Sequence, residues 1–228
     1  MQKPEVTFVI RTKNEARFIG KVLNLLQKQT FKNFEIIIVD SGSTDKTLEI
    51  VNKFPVKLLK INPCDFNYSF ALNYGIKNAH GKYICIISGH SIPISNTWLN
   101  DGLSVLKKDN VAAVNGPYSE FPVGYFNRSI GRLSLFIHKR IENFTPWITN
   151  TNSLIKKDLW EKYHFDEKLQ GSEDYDWGKE MISRGYNIVK IRSFDVFHSH
   201  WLLGKPGYLA SVPIWKKQII EIDNKIRD

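Results

Sequence analysis

Only two cysteines, Cys64 and Cys85, occur in 228 residues. They form no Cys-x-x-Cys pair and no metal-ligand spacing, which argues against a disulfide scaffold and a zinc-finger module. Cys85 lies inside an apolar run and reads as a small core residue. No apolar stretch approaches the roughly eighteen residues that a membrane-spanning helix needs. The opening MQKPEVTFVI is polar and then briefly apolar, too short for a secretory signal, so a cytoplasmic location is expected. Neither Gly-x-Gly-x-x-Gly nor Gly-x-x-x-x-Gly-Lys-[Ser/Thr] is present, which weakens dinucleotide and P-loop readings. No block of five like charges occurs, so no nucleic-acid partner is expected, although the formal net charge is +9.

What is present suits one globular domain over 1–228. Hydrophobic residues make up 42% and charged residues 24%, enough to bury a core. The first half alternates short apolar runs with helical patterns. Val6–Ile10, Phe34–Val39, Val56–Ile61, Tyr83–Ile87 and Val111–Gly116 read as strands. Between them, helices are expected over Ala16–Gln29, Thr44–Lys53 with Ser43 as N-cap, Asn67–Asn78, and from Thr97 towards Lys107. Continuous apolar strands separated by helices predict an α/β fold, a mostly parallel central sheet with helices on both faces. The IIIVD and YICII segments are expected to be neighbouring parallel strands. Residues 117–228 are less regular. Tyr125–Ile141 carries an apolar stripe with Arg128, Arg132, Lys139 and Arg140 mostly off it. It reads as a surface helix, or as a contact with a membrane surface. Ser172 is placed to cap a helix through Arg184, the NIVKI run from Asn187 reads as a strand, and Pro213–Ile226 as a terminal helix.

Ligands of open α/β sheets bind beyond the carboxyl ends of the strands. Asn14, Asp40 and His90 each follow a strand and so converge on one rim. A carboxylate at the position of Asp40 can accept hydrogen bonds from a base or a ribose. His198 and His200 form a late histidine pair, and imidazole suits manganese or zinc better than magnesium. Glu173, Asp174 and Asp176 crowd a helix start, where the helix dipole favours acids. A carboxylate there can also serve as a general base.

The stretch VTFVIRTKNEARFIGKVLNLLQKQTFKNFEIIIVDSGSTDKT resembles the opening of family 2 glycosyltransferases of the GT-A fold. Thr12, Asn14, Glu15, Gln29, Val39, Asp40, Ser43 and Asp45 carry the match, which continues through ALNYGIKNAHGKYICII and GSEDYDWGKEMISRGYNI. The resemblance implies a nucleotide-binding half over 1–116 and an acceptor-binding half over 117–228. It assigns Thr12, Asn14, Glu15, Asp40, Asn73 and Ser88 to the nucleotide. It assigns the base to Asp174, with Glu173 as the rival. Trp177 reads either as a core residue or as a ring facing the acceptor sugar. The family's Asp-x-Asp is replaced by Ser88, Gly89 and His90, as in rhamnosyltransferase-like relatives. A divalent metal, manganese or magnesium, is then expected on His90 with His198 or His200. Arg11, Lys13 and Lys77 are further candidates for phosphate contacts. The implied reaction is inverting transfer from a UDP- or dTDP-sugar to a glycan or lipid-linked acceptor. The implied setting is cell-surface polysaccharide synthesis at the inner face of the membrane. The lost Asp-x-Asp keeps a non-catalytic nucleotide-sugar-binding module open. A sugar nucleotidyltransferase would need a glycine-rich loop that RTKNEA lacks.

Overall fold

The computed structural model describes residues 3–116, 118–119, 142–145, 147–198 and 207–227. The expected helix over Tyr125–Ile141, with its membrane contact, and His200 lie outside the described residues. Among the described residues no helix is long and apolar enough to cross a membrane.

The first unit is β1 (Val6–Thr12), α1 (Ile19–Gln27) and β2 (Phe34–Asp40). It is followed by α2 (Thr47–Val51), β3 (Lys57–Lys60), α3 (Tyr68–Lys77) and β4 (Tyr83–Ser88). Then come β5 (Ile92–Pro93), α4 (Trp98–Leu106), β6 (Val111–Asn115), β7 (Tyr118–Ser119), β8 (Glu142–Phe144) and β9 (Asn152–Lys156). The chain continues as α5 (Lys157–Lys162), α6 (Glu173–Ser183), β10 (Asn187–Ile191), β11 (Val196–Phe197) and α7 (Gly207–Asp223).

Eight strands form one sheet in the order β3-β2-β1-β4-β9-β6-β10-β8. The pairs β1–β2, β2–β3, β1–β4 and β6–β10 are parallel, whereas β9 is antiparallel to both β4 and β6. The expected direct pairing of IIIVD with YICII is corrected. Both segments are parallel, but β1 lies between them. The crossover through α1 places β2 on one side of β1, and the later crossover through α3 places β4 on the other. The strand order therefore reverses at β1, and a crevice opens beyond its carboxyl end. A small second sheet, β5-β11-β7, adds a rim beside it.

Alternation along the strands splits the core into two layers. Phe8, Ile10, Ile36, Ile38, Cys85 and Ile87 face α1 and α4. Val9, Ile37, Val39, Ile84 and Ile86 face α3, α5 and α6. Each of these strands is buried on both faces, which is why its sequence is an unbroken apolar run. Two caps differ from expectation. Helix α2 begins only at Thr47, because Asp45 accepts from the Thr47 N–H at 2.9 Å while Ser43 is spent elsewhere. Ser172 has a left-handed backbone (φ 60°) and makes no side-chain cap. Helix α7 starts at Gly207, before Pro213, which it accommodates internally.

Candidate active site

A cavity of about 860 Å³ lies beyond the carboxyl end of β1. One end is lined by Arg11, Thr12, Lys13 and Glu15 after β1, Ser41 after β2, and Ser88 and His90 after β4. His198, just past β11, joins them. The other end is lined by the 147–151 loop, by Gly171 to Tyr175, and by Trp215 and Ile219 of α7. Lys77 is not part of the lining.

The two strand-end turns are knitted to each other. Asn14 adopts a left-handed backbone, φ 55°. Its Oδ1 accepts from the Thr44 N–H at 2.8 Å, and its own N–H donates to Ser43 Oγ at 2.9 Å. The Glu15 N–H donates to Thr47 Oγ1 at 2.7 Å. Asp40 is 1% exposed. Its Oδ1 accepts from the Gly42 and Ser43 N–H groups, each at 3.0 Å, and its Oδ2 from Thr12 Oγ1 at 3.1 Å and from Ser43 Oγ. The φ of +88° at Gly42 is glycine's own region, and a Cβ there would meet Pro63 at 2.4 Å.

In this structure the side chains of Asn14 and Asp40 are engaged in the turns themselves and are not part of the cavity lining. They hold the turns that place Thr12, Lys13, Glu15 and Ser41 there. Asn73 is likewise engaged by the fold. Its Oδ1 accepts from Trp160 Nε1 at 3.0 Å and the Phe165 N–H at 3.2 Å, and its Nδ2 donates to the Phe165 carbonyl at 2.8 Å and Glu167 at 2.9 Å. The amide clasps α3 to the segment after α5, away from the cavity. Trp177 is fully buried against Phe165, and its Nε1–H donates to the Tyr163 carbonyl at 2.9 Å. An indole with its N–H satisfied by backbone is a core residue.

The histidines come together. His90 and His198 stack with centroids 4.5 Å apart and planes 27° from parallel. His90 Nδ1 lies 2.9 Å from Glu15 Oε1 and 3.2 Å from Ser88 Oγ, and His198 Nδ1 lies 2.9 Å from Ser91 Oγ. Fixing Nδ1 on a protein oxygen orients an imidazole for metal ligation through Nε2. Two imidazoles suit a transition metal whose remaining positions are completed by substrate oxygens. Among the described residues no trio of His, Cys, Asp or Glu is arranged to hold a metal by itself.

The acids sit at the opposite end. Asn150 holds both: its Nδ2 donates to Glu173 Oε1 at 2.7 Å and its backbone N–H to Asp174 Oδ2 at 3.1 Å. The Tyr175 N–H donates to Asp174 Oδ1 at 2.9 Å. Arg11 Nη1 is 3.7 Å from Glu173 Oε1. Burial, aided by the charge of Asp174, raises the Glu173 pKa to about 7 against the pull of Arg11. Burial also raises Asp174, opposed by its two backbone donors. Carboxyls raised in this way are able to take up a proton near neutral pH.

Sequence reasoning missed Asn150, Trp147 and Trp215. Asn150 and Trp147 fall in a loop with no periodic signal, and Trp215 reads as one more apolar residue of a terminal helix. One local clue existed for Trp215. Gly171 immediately precedes the acidic motif, and a Cβ there would meet the Trp215 indole at 2.2 Å.

A sheet that reverses at β1, with a strand-end cleft facing an acidic helix start, defines a GT-A-type nucleotide-sugar transferase fold. The glycosyl transferase family 2 model matches residues 7–163, and the chain belongs to that family. The O-antigen chain rhamnosyltransferase WbaN of Salmonella anatum is 28% identical over 211 residues, covering 86% of this chain and 67% of the relative. A mannosyltransferase of Pyrobaculum calidifontis, solved with GDP-Man and Mn2+, superimposes with a TM-score of 0.70 at 21% identity. That match covers 92% of this chain and 60% of the mannosyltransferase. Staphylococcus aureus TarS 1-349, solved with UDP-GlcNAc, gives 0.64 at 20% identity, over 86% of this chain and 58% of that one. The chain thus spans about three fifths to two thirds of the length of these relatives.

Proposed function

We propose that the cavity transfers a sugar from a nucleoside-diphosphate sugar to a hydroxyl of a glycan or lipid-linked acceptor, with inversion at the anomeric carbon. The observation that carries this reading is the meeting, in one cleft, of the strand-end residues with Glu173 and Asp174. The relatives solved with GDP-Man and UDP-GlcNAc support the donor class. The resemblance to WbaN, an O-antigen chain rhamnosyltransferase, supports a role in surface polysaccharide synthesis.

Thr12, Glu15, Ser41 and Ser88 bind the nucleotide, with Arg11 and Lys13 near its phosphates. Asp174 is the base. Its carboxylate is oriented by two backbone N–H donors, whereas Glu173 is tied to the Asn150 amide and faces Arg11. The acceptor oxygen bonds to the anomeric carbon as its proton passes to Asp174. The bond from that carbon to the phosphate oxygen breaks, and the nucleoside diphosphate leaves with the electron pair. Direct displacement on the face opposite the leaving group inverts the configuration. His90 and His198 would hold a divalent metal, manganese ahead of magnesium. When bound, that metal neutralises the charge gathering on the departing diphosphate.

The test is release of nucleoside diphosphate from a panel of donors and acceptors. Asp174→Asn is expected to lose roughly a hundred- to ten-thousand-fold in rate. It should still show the nucleotide-dependent rise in melting temperature that binding to the folded state produces. Near-wild-type turnover by Asp174→Asn contradicts the base assignment. Nucleotide binding without turnover across the panel favours a binding module.

A further inference from the structure

Resting on that reading, we propose that Trp147 and Tyr175 form a platform for the acceptor's own sugar ring. Trp98 and Trp177 are fully buried and Trp160 is 4% exposed, yet Trp147 is 46% exposed in the cavity wall. The Trp147 and Tyr175 ring centroids are 6.1 Å apart and their planes meet at 38°, so the two rings form an open corner.

Both rings sit on segments that also carry or hold the acids. The Trp147 carbonyl accepts from Asn115 Nδ2 at 3.0 Å, and three residues on, Asn150 holds Glu173 and Asp174. Tyr175 follows Asp174 directly, and its hydroxyl donates to Asp223 Oδ1 at 2.8 Å, which anchors the ring to α7. A group resting on these rings therefore lies beside the carboxylate that takes the proton.

The polar partners decide the occupant. Glu173 and Asp174 line the same cavity as the two rings. A pyranose offers an apolar C–H face to an aromatic ring and hydroxyl donors at its edge, which matches this set. A lipid phosphate would bring its negative charge against Glu173 and Asp174, where Arg11, the one cation within ion-pair range of Glu173 among the described residues, already faces that carboxyl. Sugar rings rather than phosphate headgroups are thus the expected ligand.

The experiment titrates methyl glycosides of common hexoses, deoxyhexoses and N-acetylhexosamines into the protein, followed by tryptophan fluorescence and saturation-transfer NMR. UDP and dTDP, with manganese, are titrated separately by thermal shift. Wild type should bind at least one glycoside saturably. Trp147→Ala should weaken it about tenfold or more, Trp147→Phe should weaken it less, and both should bind nucleotide as wild type does. Equal glycoside affinity in Trp147→Ala and wild type overturns the platform. Failure of wild type to bind any glycoside while it binds nucleotide also overturns it. So does Trp147-dependent binding of octyl phosphate in place of glycosides. Absence of nucleotide binding in wild type instead strikes the glycosyltransferase reading on which the platform rests.

Discussion

Helix α6 carries four acids within eight positions, and its two pairs lead opposite lives. Asp176 and Glu180 are buried and fully answered. Arg227 reaches Asp176 at 2.8 Å and Glu180 at 2.9 Å, Lys225 stands 3.4 Å from Asp176, and Arg184 stands 2.8 Å from Glu180. The Tyr163 hydroxyl donates to Asp176 at 2.7 Å. Glu173 and Asp174 are as acidic in sequence, but Arg11 at 3.7 Å is the one cation within ion-pair range of Glu173 among the described residues. Cations make the first pair a latch that fastens the chain end beyond α7 onto α6. Burial, with few cations to offset it, gives the second pair raised proton affinity, facing a cavity. Residue type alone does not separate a structural acid from a reactive one; the charges around it do.

The largest expected contrast is in turnover. Asp174→Asn should cut nucleoside diphosphate release roughly a hundred-fold or more. Asp176→Asn should leave the rate per folded molecule within a few-fold of wild type. Equal losses in the two variants, at matched folded fraction, would erase the distinction between the pairs. The next effect is in stability. Arg227→Ala removes the cation that Asp176 and Glu180 share, leaving them Lys225 and Arg184, at a cost of about 3 kcal/mol for two lost charged hydrogen bonds. For a chain of this size that lowers the melting temperature by about 6–12 °C. A shift under two degrees by calorimetry would contradict a stabilising latch.

A pH series sharpens the other side. Glu173 has a folded pKa of about 7 against an ordinary 4.5. Between those values the folded protein holds a proton that the unfolded chain has released. Stability therefore falls as pH rises from 4.5 to 7 and levels off above. Asp195, also raised to about 7 by burial, adds the same trend. The Glu173 share is the slope that disappears in Glu173→Gln, and an unchanged slope contradicts its raised proton affinity. Smallest is Asn73→Ala. It should cost about 2 kcal/mol through the donors and acceptors it abandons and leave nucleoside diphosphate affinity unchanged. A loss of that affinity by titration would return Asn73 to the nucleotide site.

The sequence and the structure agree best where local pattern decides. The strands at Phe34 and Tyr83 are buried on both faces, so their apolar runs are continuous and read directly. Strand β9 escaped because NSLIK is short, polar at both ends and defined by antiparallel partners far away in the chain. The convergence of three strand ends on one rim was legible from alternation alone. Which side chains point into that rim was not. Asp40 and Asn73 are saturated by partners that only the fold brings near, and Trp177 could be told from Trp147 only by burial. The Arg227 latch spans 51 residues to Asp176 and leaves no local trace.

A crystal structure grown with UDP or dTDP and manganese tests the central claim most directly. The account predicts nucleotide density between Thr12, Ser41 and Ser88, and an anomalous manganese peak at coordination distance from His90 and His198. Nucleotide bound instead in the separate hollow around Lys3, Lys82 and Lys157 would contradict it.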